Sequence, residues 1–372
     1  MSGGTWILRI DGAGTGPRVA IKDNIDLAGA PTTAGSRVVE AIASAAPRDA
    51  PCLAGLRAAD AAIIGKTNLH ELACGGTGIN PHFGTPANPF DPLLIPGGSS
   101  SGNAVALATD EVDVAIGSDT AGSILTPSAC CGVAGLKTTF GRISTAGVWP
   151  LSPSLDVVGP MARDVAGIVA GMALLEPGFA IASAPAPMIG RVRLPAVDPA
   201  IDAAIDELLA LSELEVVEVV LPGWDAAEEA AWAVMFHEVW QADRHLYERD
   251  AARLGADVRE RLEQGRDVSA VAYQAGLAHR SRWRAELAAA FERAPVLAWP
   301  TLPWFPTRLD EPAPNTRRTN IGVNLAGHPS LALPVPSRRP LSASVQLVGP
   351  DHREDLVCAT GLRLEAAAIA LR

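Results

Sequence analysis

Short apolar runs alternate with loops rich in Gly, Ser and Pro between Trp6 and Gly190. The runs read WILRI, RVAI, AAIIG and VDVAIG, and each has the length of one buried strand. Several are separated by Ala-rich segments that suit helices. Alternation of this kind is typical of a mixed or parallel sheet that is covered by helices. The first half of the chain therefore predicts an α/β fold.

The middle of the chain has a different pattern. Asp198-Pro199 combines a capping residue with a first-turn proline and precedes apolar positions at helical spacing, whereas EVVEVVL at 215–221 predicts a strand. From Asp225 to Arg293 the sequence is charged and helical. A stripe of large apolar residues on these helices is interpreted as core packing rather than a ligand site. It consists of Trp232, Met235, Phe236, Val239 and Trp240.

The last part of the chain returns to loops. Residues 177–187 are interpreted as a crossover linker, and the Pro-rich stretch from Val296 to Arg339 is expected to be loop-like. A strand over SASVQLV and a helix from Glu354 to Arg372 close the chain. No boundary is clear enough to divide the sequence, so a single domain over 1–372 is expected.

Composition narrows the function classes. Hydrophobic residues make up 48% of the 372 positions and charged residues 19%, which excludes disorder as a description of the whole chain. Lys and Arg number 30 against 41 Asp and Glu, a formal net charge of −11. This balance argues against a nucleic-acid partner.

The cysteines and the apolar runs bear on the compartment. Five cysteines without a C-x-x-C pair favour reduced thiols and a cytoplasmic protein. The start of the sequence lacks the features of a signal peptide, and the apolar run from Val165 to Leu175 is too short to span a membrane. No membrane association is expected. The cysteines are Cys52, Cys74, Cys130, Cys131 and Cys358.

Three segments place reactive side chains at strand ends or in Gly-rich loops. Lys22 directly follows the strand-like RVAI, and Ser99 to Ser101 follow Gly97-Gly98 and precede an Ala-rich helix. The third segment runs from a strand into 117–123, GSDTAGS. Small residues there allow successive N–H groups to converge on an anion or an oxyanion. Each segment also has a structural interpretation: a solvated lysine, serines that cap a helix, and a tight turn.

Two motifs suggest other chemistry. GSSSG at 98–102 satisfies G-x-S-x-G, the nucleophile elbow that would make Ser100 the nucleophile, but the preceding NPFDPLLIPG does not predict the strand that an elbow requires. GAGTG at 12–16 resembles a dinucleotide loop, but Pro17 and a strand follow it instead of a helix. We interpret this second motif as a turn.

The three segments together resemble the amidase signature hydrolases. The resemblance rests on KDNIDLAGAPTTAGS, GKTNLHELACGGTG, IPGGSSSGNAVALA, GSDTAGSILTPSACCGVAGLKTTFGRIS and NLAGHPSLALPVP, which occur in that order. It covers about 17–175 and 295–370. It implies a central mixed, twisted β-sheet with helices on both faces, a core of about 5–195 and 295–372, and a helical variable region of about 198–294.

The resemblance also implies a Ser-Ser-Lys triad. By position, Lys22 corresponds to the general base, Ser99 to a bridging serine held by a cis peptide, and Ser123 to the nucleophile. The implied oxyanion hole consists of the backbone N–H groups of Thr120, Ala121, Gly122 and Ser123. Residues that would support the loop are Ser118, Asp119 and Ser100.

Elementary chemistry makes these roles coherent. A serine hydroxyl needs a base to remove its proton during attack, and a lysine serves as that base only where burial keeps it neutral. Lys22 should then reach Ser99, and Ser99 should reach Ser123, at roughly 2.6–3.2 Å. No histidine is required, and neither the histidines nor Cys130-Cys131 have metal-site spacing. No cofactor and no metal are expected.

The implied substrate is a small amide, hydrolysed to an acid and ammonia or an amine. Leu125 stands where relatives that bind a substrate carboxylate have an arginine, so a neutral acyl group is expected unless another arginine enters the pocket. The candidates for such an arginine are Arg280, Arg282, Arg317 and Arg318. Lys22 lies so early that the N-terminal helical segment of many relatives is expected to be nearly missing, and a homodimer stays possible.

Two other functions are compatible with the resemblance. One is an amidotransferase-type subunit that supplies ammonia to a partner enzyme, and the other is a non-catalytic scaffold. Leu125 and the short N-terminal segment argue against the first, and the presence of Lys22, Ser99 and Ser123 argues against the second.

Overall fold

The structure is a computed structural model that describes residues 4–312 and 318–371. In these residues it contains a single large sheet and helices that flank it. The strands are β1 Trp6–Arg9, β2 Arg18–Lys22, β3 Ala62–Thr67, β4 Val114–Asp119, β5 Ala134–Lys137, β6 Val157–Ala162, β7 Met188–Val192, β8 Glu215–Val219, β9 Val296–Pro300, β10 Ser330–Val335 and β11 Ala343–Val348. The helices are α1 Arg37–Glu40, α2 Ala54–Ala58, α3 Ser101–Ala108, α4 Leu125–Cys131, α5 Val165–Leu175, α6 Pro199–Leu211, α7 Trp224–Asp250, α8 Ala256–Asp267, α9 Ala270–Arg293, α10 Ile321–Ala326 and α11 Glu354–Ala370.

The strands form one mixed sheet in the order β1-β3-β2-β4-β6-β5-β10-β11-β9-β7-β8. Strand β2 is parallel to β3 and β4, and β7 is parallel to β8 and β9. The other neighbouring strands are antiparallel. The expected α/β fold with a central mixed sheet is confirmed.

The antiparallel pairs bring several chain segments to one edge of the sheet. Asp119 at the end of β4 pairs with Val157 at the start of β6. Ser330 at the start of β10 pairs with Lys137 at the end of β5 and with Val348 at the end of β11. The ends of β2, β4, β5 and β11 therefore lie along the same edge as the starts of β6 and β10.

Alternating side chains of β9 show that both faces of the sheet are covered. Val296 and Ala298 belong to an apolar cluster with α5, α6 and α11, whereas Leu297 and Trp299 belong to a cluster with α7 and α9. Successive side chains on a strand point to opposite faces. Burial on both faces explains why this strand is entirely apolar.

The charged helical region packs against the second of these clusters. Met235 and Val239 on α7 are fully buried, and the rest of the predicted stripe is partly buried against the same cluster. The core-packing interpretation of that stripe is confirmed. Asp198 accepts a hydrogen bond from the Ala200 N–H at 2.9 Å and begins α6, as the capping signal predicts.

The loop expected from Val296 to Arg339 is wrong in part, because this stretch contains β9, α10 and β10. Its prolines suggested loops, but β10 accommodates Pro334. Only Ser330 to Ala332 pair with β5, so Pro334 lies beyond that pairing. A missing N–H therefore costs no ladder hydrogen bond on this side.

Candidate active site

Lys22 lies at the edge where β2 and β4 end side by side. The parallel register places Ile21 opposite Ile116. Lys22, one residue further along β2, therefore lies beside the end of β4 that carries Ser118. The Lys22 Nζ lies 2.7 Å from the Ser99 Oγ, 3.0 Å from the Ser118 Oγ and 3.2 Å from the Ser118 carbonyl oxygen. Lys22 and Ser99 are both 0% exposed. The expected contact between Lys22 and Ser99 is confirmed.

Ser99 is held by the backbone around it. The Gly98-Ser99 peptide bond is cis, as the resemblance implied. The Ser99 carbonyl oxygen accepts from the His70 N–H at 3.1 Å. Gly97 has a φ of +74°, and a Cβ there would lie 2.8 Å from the Pro127 Cα. This close approach requires glycine.

Ser123 lies just before α4 and is 3% exposed. Its carbonyl oxygen accepts from the Ser100 N–H at 3.1 Å, which joins the two serine-bearing segments. Within residues 4–312 and 318–371, no hydrogen bond joins the Ser99 and Ser123 hydroxyls. Catalytic hydrogen bonds often tighten only around the reacting group. The relay from Ser99 to Ser123 therefore stays a prediction.

Asp119 organises the loop that carries Ser123. Its Oδ1 accepts from the Gly122 N–H at 2.8 Å and from the Asn324 Nδ2 at 2.8 Å, and its Oδ2 accepts from the Ile124 N–H at 2.7 Å. The Gly122 N–H thus points at Asp119. This geometry narrows the expected oxyanion hole to the N–H groups of Thr120, Ala121 and Ser123.

Thr120 is fixed from the other side of the loop. Its Oγ1 donates to the Asp156 Oδ1 at 2.6 Å, and the Asp156 carboxylate also accepts from the Leu151 N–H at 2.9 Å. Burial raises the pKa of the Asp156 carboxyl, and these hydrogen bonds offset only part of that effect. Asp156 directly precedes β6, so the sheet places it beside the end of β4.

The supporting roles of Ser118 and Ser100 differ. The Ser118 Oγ accepts from the Asn24 Nδ2 at 2.9 Å in addition to its contact with Lys22. The Ser100 Oγ lies 3.4 Å from the Ser118 carbonyl oxygen and is fully buried. No strand directly precedes 98–102, so the context of a nucleophile elbow is absent from this described segment.

Four further residues contact the predicted segments, although none of them was named as a candidate site residue. They are Asn24, Asp156, Asn320 and Asn324. The Asn320 side chain packs on the nucleophile loop, because a Cβ at Gly122 would lie 2.7 Å from the Asn320 Cβ. Asn24 stands two residues after Lys22, and that proximity was an available signal. Asn320 and Asn324 lie about 200 residues away in sequence, but Asn324 is the first residue of the quoted segment NLAGHPSLALPVP, which was an available signal for it.

The arginines considered for substrate binding lie in different surroundings. Arg280 lines a cavity beside Asn324, Arg282 is exposed, and Arg318 forms ion pairs with Asp225 and Glu228 at 3.4 Å. Arg317 lies outside the described residues. Leu125 is fully buried within α4. The preference for a neutral acyl group stays a prediction.

Three further properties of the described residues concern metal ligands, membrane-spanning helices and thiols. No group of three or more His, Cys, Asp and Glu side chains is arranged to hold a metal ion. None of the described helices is both long and apolar enough to cross a membrane. The five cysteines all lie among the described residues, where they are buried and form no disulfide with one another.

Known proteins resemble this chain over nearly its whole length. The amidase family model matches residues 15–176 and 189–358. One of the glutamyl-tRNA(Gln) amidotransferase subunits of Thermus thermophilus is 35% identical over 397 residues, with 94% of this chain and 84% of that protein covered. A 2-amino-5-chloromuconic acid deaminase of Comamonas testosteroni is 34% identical over 386 residues, with 94% and 80% covered. A crystal structure of an amidase matches with a TM-score of 0.87 at 28% identity, with 95% of this chain and 84% of that one covered.

The fold and these relatives define an α/β enzyme that acts on carbon–nitrogen bonds. More particularly, the chain belongs to the amidase family and carries the amidase signature. The family and the enzyme class predicted from the motifs are both confirmed.

Proposed function

We propose that this protein hydrolyses a carboxamide to a carboxylic acid and ammonia or an amine through an acyl-enzyme on Ser123. The observation that carries the proposal is the fully buried Lys22 Nζ at 2.7 Å from the Ser99 Oγ. Burial opposes the ammonium form of a lysine, which favours the neutral amine that a general base must be.

The proposed role of Lys22 requires a neutral amine. Such an amine has two N–H bonds and one lone pair. The Ser118 carbonyl oxygen only accepts and takes one N–H, and the Ser118 Oγ takes the other. For the proposed relay, the lone pair of the amine faces the Ser99 hydroxyl, whose Oγ lies 2.7 Å away. Ser99 in turn keeps an oxygen lone pair with which to receive the proton of Ser123.

The reaction proceeds in two halves. The Ser123 Oγ attacks the amide carbonyl carbon while its proton passes to Ser99 and the Ser99 proton passes to Lys22. The N–H groups of Thr120, Ala121 and Ser123 stabilise the oxyanion. The C–N bond breaks as the nitrogen takes a proton from the same relay, and water then releases the acid by the reverse path.

A covalent serine probe tests this proposal. After treatment with a fluorophosphonate, mass spectrometry should locate the label on Ser123. The Ser123→Ala variant should lose the label and all amide hydrolysis while its circular dichroism melting curve is kept. The Ser100→Ala variant should still be labelled at Ser123. A label on Ser100 with Ser123 untouched would refute the assignment.

A second function is favoured by the sequence relatives. The Thermus thermophilus protein is one of the subunits of an amidotransferase, so we also propose glutamine hydrolysis in a hetero-complex as the alternative. Ammonia release by the isolated chain separates the two. Rapid hydrolysis of simple amides supports the amidase. If glutamine is the only amide that is hydrolysed, and its hydrolysis becomes faster when a partner protein is added, the amidotransferase role is supported.

A further inference from the structure

A polar cavity of about 180 Å³ lies at the same sheet edge as the candidate active site. Arg280 and Arg284 of α9 line it together with Asn324 of α10, and Ser154 and Thr139 close its sides. Ser154 lies just before β6, and Thr139 lies just after β5. The cavity therefore lies beside the nucleophile loop, on the side of α9.

The two arginines differ in their charge partners. Arg284 forms an ion pair with Asp351 and donates to the Ala326 carbonyl oxygen. Arg280 makes no ion pair with any described residue. Its Nη2 donates to the Ser154 carbonyl oxygen at 3.0 Å, and its Nε is buried without a partner in the part of the chain that the structure describes.

The half-buried guanidinium of Arg280 has lost part of its solvent and has no ion-pair partner among the described residues. Loss of solvent lowers the pKa of Arg280, the nearby carboxylate of Glu238 offsets part of that effect, and the charge of Arg284 adds to it. Charges that lose solvent in proteins are normally paired with an opposite charge. An anion in the cavity would supply the missing partner.

Asn324 joins the cavity to the nucleophile loop. It is 1% exposed, and its Nδ2 donates to the Asp119 Oδ1 at 2.8 Å. The other amide atom, Oδ1, is buried and has no hydrogen-bond partner among the described residues. An acceptor of this kind is satisfied by a ligand that brings an O–H or N–H group.

We propose that this cavity binds a small hydroxy- or amino-carboxylate, with the carboxylate on Arg280 and the O–H or N–H donor on the Asn324 Oδ1. The guanidinium fork matches the two oxygens of a carboxylate. Since one water occupies roughly 30 Å³, the cavity suits a molecule of several heavy atoms. The carboxylate belongs either to the amide substrate or to a separate small acid.

Calorimetric titration of the full chain with glycolate tests the site without any need for catalysis. Glycolate carries a carboxylate and a hydroxyl, and hydroxyacetone is its neutral counterpart. Glycolate should bind saturably, and hydroxyacetone should bind at least tenfold more weakly, because a charge-assisted pair is lost. Equal binding of the two, or no saturable binding of glycolate, would overturn the proposal.

Variants on α9 locate the site. The Arg280→Gln variant should bind glycolate about tenfold or more weakly, and Arg280→Lys should bind it with an intermediate affinity because the charge remains without the fork. Arg282→Gln is the matched control, since Arg282 is exposed on the same helix and its guanidinium contacts His279. Equal losses in the Arg280 and Arg282 variants would contradict the assignment.

Inhibition kinetics with a neutral amide substrate distinguish the two sources of the carboxylate. Competitive inhibition by glycolate supports a cavity that receives part of the substrate. Inhibition or activation that is not competitive supports a separate small acid, which acts through Asn324 and Asp119. Calorimetric binding remains the readout of the site if amide hydrolysis itself is not found.

Discussion

The Asp119 carboxylate should control the reactivity of Ser123, and Asp119→Asn tests this with minimal change in shape. The native carboxylate accepts from two groups at Oδ1 and from one at Oδ2. The asparagine oxygen can replace Oδ1. Its NH₂ group then faces the Ile124 N–H, so two donors oppose each other on the residue that follows Ser123.

The hydrogen bonds give the magnitude. An unsatisfied buried N–H costs about 1–3 kcal/mol, and the two bonds that remain lose their charge assistance at about 1 kcal/mol each. A total of roughly 3–5 kcal/mol lies below the stability of many native proteins. The variant should therefore fold at low temperature with a reduced Tm. Displacement of one oxyanion donor alone lowers rates about a hundredfold or more, and we expect at least that loss.

The assay is the rate at which a fluorophosphonate labels Ser123 at a temperature where the variant is folded. Asp164→Asn is the matched control, because Asp164 also accepts a backbone N–H, from Gly167 at 2.7 Å, but caps α5 away from the site. Asparagine caps a helix as well as aspartate does, so this control should keep the native rate. Native labelling in Asp119→Asn with a reduced Tm would refute the link between Asp119 and the nucleophile.

Two further predictions concern a glycine and a buried acid. Gly122→Ala should abolish labelling, since Gly122 has a φ of +98° and an added Cβ would lie 2.7 Å from the Asn320 Cβ. The control is Gly141→Ala, where the φ is +79° and nothing lies within 4 Å of an added Cβ, so the cost should be only about 1–2 kcal/mol of stability. Equal labelling rates in the two variants would contradict the prediction. Burial raises the pKa of Asp243 to about 8, so the folded state holds a proton that the unfolded state loses near pH 4, and stability should fall between about pH 4 and 8. Asp243→Asn keeps an acceptor for the Trp149 Nε1, which donates to the Asp243 Oδ1 at 3.0 Å, and should remove that contribution. Urea denaturation across this pH range measures it, and parallel pH profiles for the two proteins would refute the prediction.

The sequence predicted the elements whose signals are local. Local patterns predicted strands at the positions of β1 to β4, β8 and β11, the start of α6 and a helix at α11, because strand length, turn residues and helix starts are encoded by neighbouring residues. Strands β5 and β6 were not predicted, and β9 and β10 were missed since short apolar runs beside prolines also occur in loops. Their burial between other strands is a property of the topology rather than of their own residues.

Lys22 and Lys66 show the same limit within the site. Both are fully buried and lie at or near the ends of adjacent parallel strands. The Lys66 Nζ forms an ion pair with the Asp23 Oδ1 at 2.9 Å, whereas the Lys22 Nζ contacts serine oxygens. The residues that flank each lysine in the sequence do not predict which lysine pairs with a carboxylate and which contacts serines. Only the family motif distinguished Lys22, and the side-chain partners supply the physical reason.

The position of the site follows from the mixed order of the sheet. Strands β2 and β4 are parallel, which brings Lys22 and Ser118 together. Strand β6 is antiparallel to β4 and β10 is antiparallel to β5, which brings Asp156 and Asn324 to the same edge from remote parts of the chain. The helical region reaches that edge as well, because Arg280 donates to Ser154. The sheet thus fixes the residues proposed for bond cleavage, while α9 supplies part of the adjoining wall. Changes on α9 are therefore expected to alter binding in the proposed cavity without moving the proposed base or nucleophile.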